Sequence, residues 1–406
     1  MTASSENLFS SEWQIMKKKL ALTLILSLLF AVSCERRGGG RGTNQNGAIL
    51  IGFYGDLSGR TSNFGQSTKN GIQMLADEIN KSGGINGRQI QIIAEDDEGR
   101  PEKAATVVTK LIDQDRVIAL IGENTSGNTL AAAPKAQSSR VPMISPSSTA
   151  PSVTQVGDYI FRVCFIDPFQ GEVMAKFAAN TLNAKTAAVM LDFNSPYSRG
   201  LTEFFQNSFT KQGGKVLSQQ SYTQGDRDYK GQLTAIRALN PDVIYVPGYY
   251  GEVGVIAKQA QQLGMKAPLL GGDGWDATQL WDLGGSALNG DFISNHYSVD
   301  DPSPAIQNFV REYKSRFGII PDALGALGYD ALKVLVEAIK RAGTTSGKEL
   351  RDALAATKDL AGVTGTISMD AQRNAVKPAV VLKLQDGKYI YQETIYPEGM
   401  KPVAAK

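Results

Sequence analysis

Asp273 sits in Gly271-Gly272-Asp273-Gly274-Trp275-Asp276. Glycines on both sides let the backbone approach closely, and a carboxylate in a cleft can pair with a ligand ammonium. The same run also reads as a plain turn. Gly122-Glu123-Asn124-Thr125-Ser126-Gly127 lies between an apolar run and a helix through Leu130-Ala131-Ala132-Ala133. A helix N-terminus offers unpaired N–H groups and a positive dipole end, which suit a carboxylate, and Ser126 adds a hydroxyl donor. A simple N-cap serine fits those residues equally well. Ser147, Ser148 and Thr149 form a hydroxyl-rich turn between Pro146 and Pro151 that could share the same ligand, although such turns occur in any loop. Tyr197, Tyr249 and Tyr250 could wall an opposite side or serve only in packing. Together these groups suit a zwitterion.

Other chemistries lack their residues. His296 is the one histidine, where serine and cysteine hydrolases need a His base and zinc sites need several His or Cys ligands. It reads as a loop or strand-end residue, and a hydrolase built on Ser126 or Ser147 has no evident base. No Walker-type phosphate loop is present. Glu95-Asp96-Asp97-Glu98 reads as a solvated loop ahead of a helix opened by Pro101. No enzyme activity, metal or cofactor is expected. A net charge of +2 with no basic stripe gives no sign of a nucleic-acid partner.

The elements that must carry these loops alternate. Ala48–Phe53 is a short apolar run consistent with a buried parallel strand. A helix from about Gly65 follows, with Ile72, Leu75, Ala76 and Ile79 on one face, ended at Gly83-Gly84. Strands at Gln89–Ile93, Val117–Ile121 and Val141–Ser145 complete a doubly wound α/β pattern. The pattern restarts at Thr186–Leu191, with a helix through Phe204, Phe205 and Phe209, a stop at Gly213-Gly214 and a strand from Lys215. Ala323–Ala342 is a long helix with Leu327, Ala331, Leu332, Leu335 and Ile339 on one side. Short strands near Gly365–Met369 and Val380–Leu384 are expected to complete existing sheets. The fold class is therefore α/β: two doubly wound lobes joined by a three-segment hinge, with crossings near residues 165, 294 and 362. This divides the body into an N-terminal lobe, 47–165 plus 295–362, and a C-terminal lobe, 166–294 plus 363–399. Ligands bind such sheets beyond the carboxyl ends of the strands.

The first residues carry an address. Lys17, Lys18 and Lys19 precede the apolar run Leu20–Val32, and Ala31-Val32-Ser33-Cys34 follows, the plan of a secretory signal. The run falls short of the roughly 20 apolar residues that span a bilayer. Residues 16–34 thus read as a lipoprotein-type signal starting at Met16, with Cys34 as the lipid anchor. Residues 35–46, with Arg36, Arg37 and Arg41 among glycines, read as a flexible tether. The protein would then work on the periplasmic or extracellular side, anchored to the membrane. Cys164, in Phe161-Arg162-Val163-Cys164-Phe165, reads as a buried strand cysteine without a disulfide partner.

Several segments together carry a family resemblance: Gly55-Asp56-Leu57-Ser58-Gly59, Ile79–Gly87, Glu95-Asp96-Asp97, Met143–Thr149 and Gly248-Tyr249-Tyr250. From about Ala48 to the C-terminal region the chain resembles the periplasmic leucine/isoleucine/valine-binding proteins, the substrate-binding subunits of branched-chain amino acid ABC transporters. The resemblance implies the type I periplasmic-binding fold. Its implied partners are an amino acid in the cleft, branched-chain or otherwise apolar, and the subunits of a membrane permease. It also implies roles. Ser126, Ser147 and Thr149 would hold the ligand's carboxylate and amino group, and Asp273 would face the ammonium. Tyr197 and Tyr249 would supply aromatic walls, and Phe64 would line the side-chain pocket. Asp273 is one methylene shorter than the family's glutamate, and Phe64 is smaller than its tryptophan. A sensor of the same fold, passing closure on an amide or amino acid to a signalling partner, is the alternative reading.

Overall fold

The computed structural model describes residues 47–400. The signal, Cys34 and the 35–46 tether lie outside the described residues. Five strands make the first sheet: β1 (Ile49–Gly55), β2 (Ile90–Asp96), β3 (Ala119–Ile121), β4 (Met143–Ser145) and β5 (Ile160–Arg162). They run β2-β1-β3-β4-β5, every pair parallel. Alternate residues of β1 explain why it is apolar throughout. Ile49, Ile51 and Phe53 enter a core with helices Ser62–Lys81 and Ala323–Ala342. Leu50 and Tyr54 face helices Pro101–Asp113 and Ser126–Ser139. A parallel strand covered on both faces cannot alternate polar with apolar.

The second sheet repeats that order and extends it. Its strands are β6 (Thr186–Asp192), β7 (Lys215–Tyr222), β8 (Val243–Tyr245), β9 (Leu269–Gly271) and β10 (Phe292–Asn295). They run β7-β6-β8-β9-β10, again all parallel. Between β10 and the last strands lie β11 (Leu360–Gly362) and β12 (Gly365–Ile367). Then β13 (Ala379–Gln385) pairs antiparallel with β10, and β14 (Lys388–Ile395) pairs antiparallel with β13. Asp386-Gly387 joins β13 to β14 with positive φ at both residues, the geometry of a tight hairpin turn. In both sheets the strand order reverses beside the first strand, which opens a crevice at the carboxyl edge.

Several expectations need correction. The segment near Gly365–Met369 joins neither large sheet. There, β12 pairs only with β11, as a separate antiparallel ribbon. Asp330 holds its turn: Oδ1 accepts from the Val363 amide at 2.7 Å and Oδ2 from the Thr364 amide at 2.9 Å. The third passage between cores consequently falls later than residue 362. Ile367 and Ala375 still pack in the first core, and Ala379 packs in the second. The first passage is sharper: Cys164 belongs to the first core and Phe165 to the second. The acidic run is not a solvated loop, because Glu95 and Asp96 end β2 and Asp97 is fully buried.

Helices Ser62–Lys81 and Ala323–Ala342 cross with their backbones in contact, leaving no room for a Cβ at two glycines. A Cβ on Gly71 would fall 1.9 Å from the Gly325 carbonyl oxygen, and one on Gly328 would fall 2.3 Å from that of Thr68. This crossing ties the late helix to the first sheet. Across the crevice, Asp276 Oδ2 accepts from the Ala323 amide at 2.8 Å, so a loop of the second sheet caps a helix of the first. Among the described residues no helix is long and apolar enough to cross a membrane.

Candidate functional site

The loop after β3 turns into the helix Ser126–Ser139, and Thr125 occupies the N-cap in an extended conformation. Ser126 is thus the first helical residue, not the cap. Thr125 turns its hydroxyl to Glu123 Oε2 at 2.6 Å. Ser126 Oγ accepts from the Ala150 amide at 3.2 Å and so links two strand-end loops. Ser147 Oγ donates to the Asn124 carbonyl at 3.0 Å, and Asn124 Nδ2 lies 3.1 Å from Ser147 Oγ. Beneath these loops the buried Arg162 fans out, donating to the carbonyls of Ser148 at 2.6 Å and Ala150 at 2.9 Å. The first-sheet side therefore presents a helix N-terminus and hydroxyls on a braced frame, a surface suited to an anion.

The second-sheet side presents a carboxylate. Asp273 follows β9 with Gly272 between them, and its Oδ1 accepts from Tyr197 Oη at 2.9 Å and from Gln170 Nε2 at 2.8 Å. Its Oδ2 lies 3.0 Å from His296 Nε2. The flanking glycines are required by space. A Cβ on Gly272 would meet Tyr197 Oη at 2.5 Å, and one on Gly274 would meet the Gly248 carbonyl at 2.7 Å. Tyr197 and Tyr249 stack with centroids 5.1 Å apart, and Phe64 stands edge-on to Tyr249 at 6.0 Å.

These two sides line one cavity. Phe64, Ser126, Ser147, Tyr197, Tyr249 and Asp273 all line it, contributed by both sheets. Thr149 does not. Its carbonyl accepts from the Asp167 amide at 3.1 Å, and its buried hydroxyl has no hydrogen-bond partner among the described residues. Tyr250 packs instead against Phe64, with centroids 5.0 Å apart. Asn124, Gly274 and Leu324 line the cavity without having been singled out from sequence. Asn124 and Gly274 lie inside the two loops that were, whereas Leu324 opens a helix read only for its packing. Asn124 Oδ1 is a buried acceptor with no hydrogen-bond partner among the described residues.

Burial sets the protonation of the surroundings. It raises the phenols of Tyr197 and Tyr249 well above their ordinary value, so both remain neutral. It lifts Asp167 to about 8, with Asp273 adding repulsion, and holds the Cys164 thiol near 12. His296 is pushed down to about 4, chiefly by burial. No three His, Cys, Asp or Glu side chains among the described residues are grouped to hold a metal ion. The arrangement can grip a small zwitterion: anion-binding groups on one wall, a carboxylate on the other, and Phe64, Tyr249 and Leu324 as the apolar remainder.

The periplasmic binding protein family model matches residues 48–388. A Leu/Ile/Val-binding protein homolog from Brucella melitensis is 29% identical over 345 residues, covering 84% of this chain and 93% of that protein. A leucine binding protein from Thermotoga maritima superposes with a TM-score of 0.84 at 38% identity, covering 87% of this chain and all of that one. A branched-chain amino acid transporter substrate binding protein from Streptococcus pneumoniae, solved with isoleucine, gives 0.83 at 34% identity, over 86% of this chain and all of that one.

Proposed function

The chain belongs to the periplasmic binding protein family of solute-binding proteins, and from that premise we propose that it captures a branched-chain or other apolar amino acid and delivers it to the permease of an ABC importer. The observation that carries this reading is Asp273 facing Ser126 and its helix N-terminus around one cavity. A carboxylate opposite an anion site fits an α-amino acid, whose two charges differ in sign and are fixed a few bonds apart. Phe64, Leu324 and Tyr249 leave an apolar region for the side chain. The similar proteins whose names include leucine, isoleucine or valine point the same way.

Closure belongs to the same proposal. Three chain segments pass between the cores, which lets the lobes open and shut about a common hinge without tumbling independently. Cys34 would carry lipid and hold the trap outside the cytoplasmic membrane near its permease, raising its effective concentration there. Calorimetry on protein stripped of ligand, with a panel of amino acids, tests the ligand reading. Leucine, isoleucine and valine are expected among the tightest binders, and binding to no amino acid would remove it. Mass spectrometry of the mature N-terminus tests the anchor, and an unmodified Met1 on exported protein would exclude it.

A further inference from the structure

His296 was set aside in the sequence as a loop or strand-end residue. In the fold it follows β10, fully enclosed, on the second passage between the cores. Its ring stacks on Phe165 of the first passage, with centroids 3.8 Å apart and planes 20° from parallel. Its Nε2 lies 3.0 Å from Asp273 Oδ2. A carboxylate oxygen only accepts, so the shared proton sits on the imidazole and the ring is the Nε2–H tautomer. Nδ1 has no hydrogen-bond partner among the described residues. Burial and the nearby Lys377 ammonium both oppose a second proton, outweighing the attraction of Asp273.

The remaining donors to this carboxylate, Tyr197 and Gln170, are neutral as well. Three uncharged donors fix both oxygens in place. A Lys or Arg at the same position would form an ion pair and cancel the charge that an ammonium must meet. We propose that His296 is a positioning residue that determines specificity: as an uncharged donor to Asp273 Oδ2 it holds the carboxylate in place without cancelling its charge, so that the site selects ligands bearing an α-ammonium over their deaminated counterparts. The assignment rests on the amino-acid reading given above. Removing the donor leaves a buried carboxylate oxygen without its hydrogen bond and frees the carboxylate to turn away from the ammonium it must meet.

The test is calorimetry of leucine and 2-hydroxy-4-methylpentanoate on the wild type, His296→Gln and His296→Leu. The hydroxy acid keeps the carboxylate and side chain and lacks only the ammonium. The glutamine amide nitrogen reaches the place of Nε2, so His296→Gln retains the wild-type preference for leucine to within about threefold. His296→Leu loses leucine affinity by about tenfold or more, the hydroxy acid changes less, and the preference collapses. If both affinities fall equally in His296→Leu, or the preference persists, the role is wrong and His296 is only structural. A wild type that binds no amino acid overturns the ligand reading along with it. Nitrogen-15 NMR of the wild-type imidazole is independent of any variant. A neutral Nε2–H ring from about pH 5 to 8 is expected, and an imidazolium over that range would overturn the assignment.

Discussion

Tyr197 and Asp273 form the joint around which the acidic side of the cavity is built. The Tyr197 hydroxyl donates to Asp273 Oδ1 at 2.9 Å and accepts from the Gly274 amide at 3.1 Å. One side chain thus fixes both the carboxylate and the turn that carries it. The same ring stacks on Tyr249, so the aromatic wall and the charged group cannot move separately. A ligand seated between them meets a preorganised surface, which lowers the ordering cost of binding.

Asp273→Asn removes the charge while keeping the shape. Amino-acid affinity should fall by about 1.5–3 kcal/mol, roughly 10- to 150-fold. The amide nitrogen would also face a donor, since Gln170, Tyr197 and His296 all point hydrogens at this group. Calorimetry with leucine measures the loss, and unchanged affinity would mean that the ammonium is held elsewhere.

Asp97 makes stability fall as the solution becomes more alkaline. Burial, with Glu123 close by, raises its carboxyl to about 9. The native state therefore keeps a proton that the unfolded chain gives up at ordinary carboxylate pH. This contribution is full below the unfolded value and is lost as pH rises through the folded one. Glu123, lifted to about 7, acts with the same sign. Asp97→Asn, which leaves a neutral group of the same shape, should raise the melting temperature more at pH 8 than at pH 5. Equal shifts at the two pH values, read by calorimetric melting, would show that Asp97 is ionised in the fold.

The sequence disclosed what local pattern encodes. The apolar run of β1 and the spacing of Leu327, Ala331, Leu332, Leu335 and Ile339 follow from burial on faces, and those five residues enter one core. The site loops were legible because they follow apolar strands. His296 and Gln170 were not, since their contacts with Asp273 join residues 23 and 103 positions apart. The late hinge passage was hidden because Asp330, a helix residue, grips the Val363-Thr364 turn and holds the following segment against the first core. A partly exposed face, with Ile390 and Tyr391 open to solvent, blurred β14. Asp97 misled because an acidic run reads as solvated whenever the fold that covers it is unknown.

Gly71→Ala tests the helix crossing that ties Ala323–Ala342 to the first sheet. The added methyl carbon would fall 1.9 Å from a backbone oxygen that no side-chain rotation can move. Overpacking of this kind costs about 1–3 kcal/mol, and more where backbone must shift. A lower melting temperature is expected, whereas alanine at the exposed Gly231, where a Cβ meets nothing within 4 Å, should leave it near the wild-type value. Equal melting of both variants would mean that the crossing is looser than described.

Cys164 reports on opening of the hinge. Its thiol is fully buried where the chain leaves the first core, and Sγ lies 3.5 Å from the Ser148 carbonyl. Burial holds it near 12, so almost no thiolate exists at neutral pH. In a Cys34→Ser chain, a thiol reagent should react with native protein only through opening that exposes this segment. Denaturant should release one fast-reacting thiol, and saturating leucine should slow the native reaction by stabilising the form it binds. Rapid labelling of the native protein, unaffected by leucine, would place Cys164 at an accessible surface and contradict its position between the cores.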